Sequence, residues 1–187
     1  NNGVINIITT GGVSPYTYLW SDGNVTANRT NVTSGSYTLS VTDNNSCVQV
    51  LNVTITQPTA LAVAESHANI LCNGVNTGSI NISSSGGTTP YVFQWSDGIT
   101  TPNRINLSAG SYTVTVNDNN SCSSSLNISI TQPAALNFSE THNNVLCNGA
   151  NTGSISVTAT GGTSPVSFIW NDGNTSSTRN NITAGNY

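Results

Sequence analysis

The stretch GSINISSSGGTTPYVFQWSDG, residues 78–98, decides the fold of this chain. In its first part apolar and polar residues alternate, with Ile80 and Ile82 each flanked by polar residues. This pattern is typical of a half-buried β-strand. The glycine and proline cluster at 86–90 predicts a turn. The aromatic run 91–95 predicts another strand, and the SDG that follows predicts a tight turn. The stretch therefore indicates short strands joined by turns.

The same stretch recurs at a constant step of 75 residues along the chain. Prolines, paired glycines, aspartates and cysteines keep that step, as do the tryptophans and arginines. Every charged residue belongs to the repeated pattern, so no copy carries a private set of catalytic charges. A constant step of this kind is the signature of a repeat architecture. The matching sets are Trp20, Trp95 and Trp170, and Arg29, Arg104 and Arg179.

The register predicts a partial repeat at 1–58, a complete one at 59–133 and a partial one at 134–187, cut from a longer array. Alternating patterns predict further strands within the complete repeat, about seven in all. Short strands with turn signals at every 8–12 residues or so indicate an antiparallel β-sandwich. The remaining strands are expected at 60–66, 103–107, 111–118 and 123–132. We expect an all-β chain of tandem immunoglobulin-like sandwiches, placed end to end in an elongated rod.

Residues 72–98, CNGVNTGSINISSSGGTTPYVFQWSDG, resemble the SprB repeat of very large adhesins from gliding bacteria of the Bacteroidota. The run AGSYTVTVNDNNSC at 109–122 continues that resemblance and is also similar to PKD-like domains. The third copy departs from the pattern at Val166 and Asn171. The resemblance implies export by type IX secretion and a role in cell adhesion or gliding motility.

Composition narrows the class of protein. Charged residues make up 5% of the chain and the formal net charge is −4, against about 25% charged residues in typical soluble proteins. Three isolated arginines cannot neutralise a phosphate backbone, so we expect no nucleic-acid partner. No apolar run approaches the ~20 residues of a membrane span. The polarity comes from Asn, Ser, Thr and Gly, as expected of a secreted protein or one on a bacterial cell surface.

The cysteines Cys47, Cys72, Cys122 and Cys147 predict disulfides rather than a metal site, because no CxxC pair or nearby histidine pair accompanies them. The simple pairing is Cys72 with Cys122 inside one repeat. In a sandwich, however, Cys72 would lie at the end facing the next repeat and Cys122 at the end facing the preceding one. Each would then bond to a neighbouring repeat, and both pairings stay open.

The tryptophans, one per repeat, are predicted to be core aromatics rather than sugar-stacking surfaces. Asp97 and Arg104 could pair across a turn, which is worth little if the pair is exposed. Glycoside hydrolysis needs two acids in one cleft, whereas each repeat scatters its acids over turns and a strand. One aspartate per turn is too few for calcium. We therefore expect no enzyme activity, catalytic residue, cofactor or metal.

These features favour a structural stalk segment of a large secreted adhesin or extracellular filament. The expected partners are neighbouring repeats of the same long chain, and surface polysaccharide or other copies of the chain in a filament. One alternative is a polysaccharide-binding repeat, which would expose its tryptophans on an outer face. The other alternative is a non-catalytic appendage of a secreted hydrolase.

Overall fold

The computed structural model describes residues 2–187, and in that range it is all-β, with fourteen strands and no helix. No membrane-crossing helix occurs there. The all-β prediction is confirmed. The strands are β1 (Gly3–Ile5), β2 (Thr17–Trp20), β3 (Arg29–Val32), β4 (Gly35–Thr42), β5 (Val48–Ile55), β6 (Ala62–Ala68), β7 (Gly78–Ser85), β8 (Val92–Trp95), β9 (Asn103–Leu107), β10 (Gly110–Asn117), β11 (Ser123–Ile130), β12 (Asn137–Asn143), β13 (Gly153–Thr160) and β14 (Thr178–Ile182).

The chain divides into two compact units, Asn1–Thr59 and Ala60–Tyr187. The first unit contains β1 to β5 and the second contains β6 to β14. The division into a partial repeat at 1–58, a complete one at 59–133 and a partial one at 134–187 stays a prediction.

The first unit is built from two antiparallel sheets with a core between them. The strands β1 and β3 form one sheet, and β2, β4 and β5 form the other in the order β2-β4-β5. Both sheets supply buried residues, namely Ile5 and Val32 from the first and Trp20 and Leu39 from the second. Apolar faces from two sheets therefore close one core, as in a β-sandwich.

The strands of residues 62–130 form a more complete sandwich within the second unit. One sheet has the order β6-β7-β9 and the other β11-β10-β8, and all pairs are antiparallel. Alternate residues of both sheets point inward, because successive side chains on a strand face opposite sides. The antiparallel sandwich prediction is confirmed. The core residues are Ile70, Ile80, Ile82, Trp95, Leu107, Val114, Val116, Ile128 and Ile130.

The complete repeat has six strands rather than about seven. The segments 69–77 and 96–102 are turns and loops. Their asparagines, glycines and proline favour turn conformations over a sheet ladder, so they leave no room for a further strand.

The third copy contributes one sheet, β12-β13-β14, to the second unit. Residues 166–170, of which 167–170 correspond to β8, form no strand. The reason lies in the pairing of β8, which is hydrogen-bonded to β10. No counterpart of β10 occurs among the described residues of the third copy, so the 166–170 segment has no ladder to join.

Candidate functional site

Two of the three repeated tryptophans, Trp20 and Trp95, belong to sandwich cores. Trp20 is 1% exposed and Trp95 is 2% exposed, while Trp170 is half-buried. Each indole N–H donates to a backbone carbonyl six residues further on, which for Trp95 is the oxygen of Thr101 at 2.8 Å. A buried indole needs such a partner for its polar N–H. Neither Trp20 nor Trp95 therefore offers a free ring face to a ligand.

An arginine lies against each tryptophan. The guanidinium carbon of Arg104 is 5.1 Å from the Trp95 ring centre and 5.6 Å from the ring centre of Tyr112. The arginine is thus held between two aromatic faces, an arrangement that cation–π attraction favours. Arg29 and Arg179 make the same contacts in their own copies. We call the tryptophan, arginine, tyrosine and aspartate of one copy the arginine clamp.

The aspartate of the clamp holds the arginine from outside. Arg104 Nη2 donates to Asp97 Oδ2 at 2.6 Å, and this hydrogen bond is the main reason why the pKa of Asp97 is lowered. The Arg104 side chain is only 13% exposed, whereas that of Asp97 is 47% exposed. The expected Asp97–Arg104 pair is therefore present, and it is not a fully exposed pair, because the arginine side chain is mostly buried. Its guanidinium belongs to the packed interior.

The tyrosine of the clamp also closes a backbone corner. The Tyr112 hydroxyl donates to the carbonyl of Ser108 at 2.9 Å, four residues upstream. Tyr37 and Tyr187 bond in the same way to the residues four positions before them. A tyrosine bonded back to the upstream backbone at the start of a strand is a hallmark of immunoglobulin-like sandwiches.

Sequence reasoning missed the clamp, although the spacing contained the signal. In each copy the arginine follows the tryptophan by nine residues and precedes the tyrosine by eight. Such a constant spacing indicates contact among the three side chains, but only the packing of one sheet on the other brings the arginine of β9 to the rings on β8 and β10.

A second repeated cluster surrounds Asp118, which follows β10. This carboxylate accepts backbone N–H groups from Thr88 and Cys122 at 2.8 Å each and from Asn120 at 2.9 Å. Asp118 is 5% exposed. Gly87, at a φ of 56°, approaches so closely that an added Cβ would lie 2.7 Å from Asp118 Oδ2. The aspartate therefore joins the hairpin between β10 and β11 to the glycine loop at 86–88.

The hydrogen bond from the Thr88 N–H is the main reason why the pKa of Asp118 lies below its ordinary value of 3.8. A carboxyl group whose pKa is lowered in the folded state stabilises the fold at pH values above its pKa in the unfolded state. That stabilisation is lost as the pH falls through the folded pKa. Asp43 has its pKa lowered likewise, mainly by the N–H of Cys47.

Asp118→Asn is expected to lower the thermal midpoint of the second unit by at least about 5 °C at pH 7, because the charged acceptor of three N–H groups is lost. Below pH ~4 the wild-type midpoint should fall, and the variant should lose part of this acid dependence. Circular dichroism melts between pH 2 and 7 measure both effects. Asp97→Asn is the matched control with a more exposed carboxylate and a smaller expected change. An unaltered acid slope in Asp118→Asn would contradict the assignment.

The four cysteines Cys47, Cys72, Cys122 and Cys147 are all exposed and free within the described residues. Cys72 follows β6 at the end of the repeat where β11 finishes, since Ile70 N–H donates to the carbonyl of Thr131. Cys122 precedes the start of β11. The eight residues of β11 separate the two positions by about 26 Å, whereas a disulfide needs Cα atoms within about 7 Å. This separation argues against the pairing of Cys72 with Cys122 inside one repeat.

No group of three or more His, Cys, Asp and Glu side chains that could hold a metal occurs in residues 2–187. Glu65 bonds to His67 at 2.9 Å and Glu140 to His142 at 3.0 Å, each pair on one strand. These pairs join side chains two residues apart on the same strand face.

A groove of about 770 Å³ lies along the sheet of the third copy. Its apolar lining includes Ile155, Val157 and Trp170, which correspond to core residues of the second copy. The groove is therefore the inner face of a sheet that no second sheet covers within the described residues. Glu140 is the one acid among the described residues that line it, and glycoside hydrolysis requires two.

Comparison with known proteins gives a family match at three places. A family model described as SprB repeat matches residues 1–25, 64–100 and 139–175, which is more than half of the chain. No curated protein matches the chain. Among solved structures, the chain is similar to one titled "Structure of amphioxus IgVJ-C2 molecule", with 14% identity and a TM-score of 0.35. That similarity covers 70% of this chain and 96% of the other.

Proposed function

Because this chain belongs to the SprB repeat family, we propose that it is a structural repeat segment of a large secreted adhesin or extracellular filament on a bacterial cell surface. In this role the repeats form an elongated stalk without catalytic activity. They extend the protein from the cell, resist shear during gliding or attachment, and contact neighbouring repeats of the same chain.

The observation that carries the proposal is how the chain uses its few charged and aromatic side chains. In each copy the arginine is stacked between a tryptophan and a tyrosine and bonded to an aspartate. The aspartates after β4 and β10 accept backbone N–H groups. Side chains that could serve catalysis are engaged in holding strands and loops together, which supports an architectural role.

Surface exposure on living cells tests this proposal. An antibody against the 187-residue chain would be applied to intact cells of the producing bacterium, before and after added protease. We expect the signal to be present on unlysed cells and lost after proteolysis, while a cytoplasmic marker protein stays intact. A signal that appears only after lysis would contradict the surface location.

Binding of the purified chain to a polysaccharide panel tests the remaining alternative. The burial of Trp20 and Trp95 removes the most suitable sugar-stacking surfaces, so we expect no binding by the folded chain. Saturable binding to one polysaccharide class would favour the polysaccharide-binding module instead. An attached catalytic domain in the full-length protein would favour the appendage of a secreted hydrolase.

A further inference from the structure

The loop that carries Cys72 is fastened to the exit of its own repeat. The Asn73 side-chain amide donates to the carbonyl of Pro133 at 2.9 Å, and Gly74 N–H donates to Gln132 Oε1 at 3.1 Å. Thr131 N–H donates in turn to Asn69 Oδ1 at 2.8 Å. These bonds place Cys72 beside the segment through which the chain passes into the third repeat.

The second cysteine of the repeat, Cys122, lies in the hairpin between β10 and β11, and we call it the hairpin cysteine. Its neighbour is the glycine loop of its own repeat. The N–H groups of Thr88 and Cys122 donate to the two oxygens of Asp118, at 2.8 Å each. Sharing one carboxylate keeps the two backbone nitrogens within about 8 Å of each other. In the first unit, Val13 and Cys47 share Asp43 in the same way. The proximity of this loop to the hairpin cysteine is therefore a property of the repeat.

The glycine loop of the third repeat reaches back to the loop that carries Cys72. Thr163 occupies the position that Thr88 has in the second repeat. Its hydroxyl donates to the carbonyl of Leu71, the residue before Cys72, at 3.3 Å. Gly162 N–H donates to the carbonyl of Ala134 at 2.9 Å and holds the loop in place. In the second repeat, the hairpin that holds Cys122 packs on Thr88. A hairpin that packs on Thr163 in the same way would bring its own cysteine close to Cys72.

We propose that Cys72 forms a disulfide with the hairpin cysteine of the repeat that follows it, so that successive repeats are covalently joined. This inference rests on the proposed extracellular role, because disulfides persist outside the cytoplasm. Two thiols lose two protons and two electrons as the S–S bond forms. A low-molecular-weight disulfide such as oxidised glutathione accepts the electrons and is reduced to two thiols. The bond prevents the two repeats from separating or rotating freely.

The first test places a cysteine at the contact that this chain already contains. Thr163→Cys, refolded with oxidised glutathione, is expected to bond to Cys72, with a loss of two hydrogen masses. Peptide mapping without reductant should find this pair at least about tenfold more often than any other, because neighbouring thiols react at millimolar effective concentration. The control combines Thr163→Cys with Cys72→Ser. Equal pairing of the introduced thiol with Cys47, Cys122 or Cys147 in the mapped protein would overturn the proposal.

The second test supplies the hairpin itself. Residues 113–133 of the second repeat are appended after Tyr187, which corresponds to Tyr112, so that a second copy of Cys122 completes the third repeat. We expect the added cysteine to bond to Cys72 and not to Cys147 of its own repeat. A bond to Cys147 would refute the proposal. The disulfides are mapped on purified protein. A negative result there is therefore distinguishable from a negative result in the surface-exposure experiment, which tests the proposed function.

Discussion

Trp95→Ala is expected to lower the free energy of unfolding of the second repeat by about 3–5 kcal/mol, the usual cost of removing a large buried aromatic side chain. Trp95 is almost fully buried and its ring lies in the core shared by both sheets. A repeat of this size has a stability of only about 4–11 kcal/mol. The substitution should therefore remove a large share of the stability of the second repeat.

Hydrogen exchange followed by mass spectrometry measures this loss in the intact chain. Peptides from β7, β10 and β11 are expected to lose most of their protection in Trp95→Ala. Peptides from β2 and β4 should keep theirs, because Trp20 still fills the core of the first unit. Trp20→Ala is the matched variant and should reverse the pattern. Full protection of β10 in Trp95→Ala would show that the tryptophan does not hold the repeat core together.

Arg104→Ala is expected to destabilise the second repeat by about 2–4 kcal/mol, far more than an exposed arginine would. The substitution removes the contacts of the guanidinium with the rings of Trp95 and Tyr112 and the rest of a mostly buried side chain. Arg104→Lys keeps the charge but lacks the planar guanidinium, so it should recover only part of the loss. Denaturant melts of the three proteins give the ranking wild type, lysine variant, alanine variant.

Asp97→Asn separates the stacking from the ion pair. The Asp97 carboxylate is about half exposed, so its neutralisation should cost less stability than Arg104→Ala. Added salt should reduce the cost of Asp97→Asn further, because it screens the ion pair. A loss equal to that of Arg104→Ala would mean that the ion pair, and not the aromatic packing, stabilises the cluster.

Several features of the fold could be read from individual residues. Ile80 and Ile82 alternate with polar neighbours, and both are buried on β7 as the pattern predicted. Residues 92–95 of the aromatic run form β8, and the GGTTP cluster forms the turn before it. Local alternation and turn chemistry were sufficient here because strand faces and tight turns depend on near neighbours.

Other features were beyond the reach of local patterns. The sequence indicates only a pair of Arg104 with Asp97. The packing of the sheet that carries the arginine on the sheet that carries Trp95 and Tyr112 places it between two rings. Asp118 looked like an ordinary turn aspartate, but Thr88 approaches it from thirty residues away. Its burial could not be predicted because the donors come from a loop that is distant in sequence.

The sequence by itself determined that the chain is all-β, that its motifs recur at a step of 75 residues, and that it belongs to the SprB repeats. These properties depend on periodicity and motif, which are local. Only the tertiary structure decided which side chains surround the arginine and which distant loop buries Asp118. Those facts depend on how sheets pair and pack, because pairing brings together residues that are far apart in the chain.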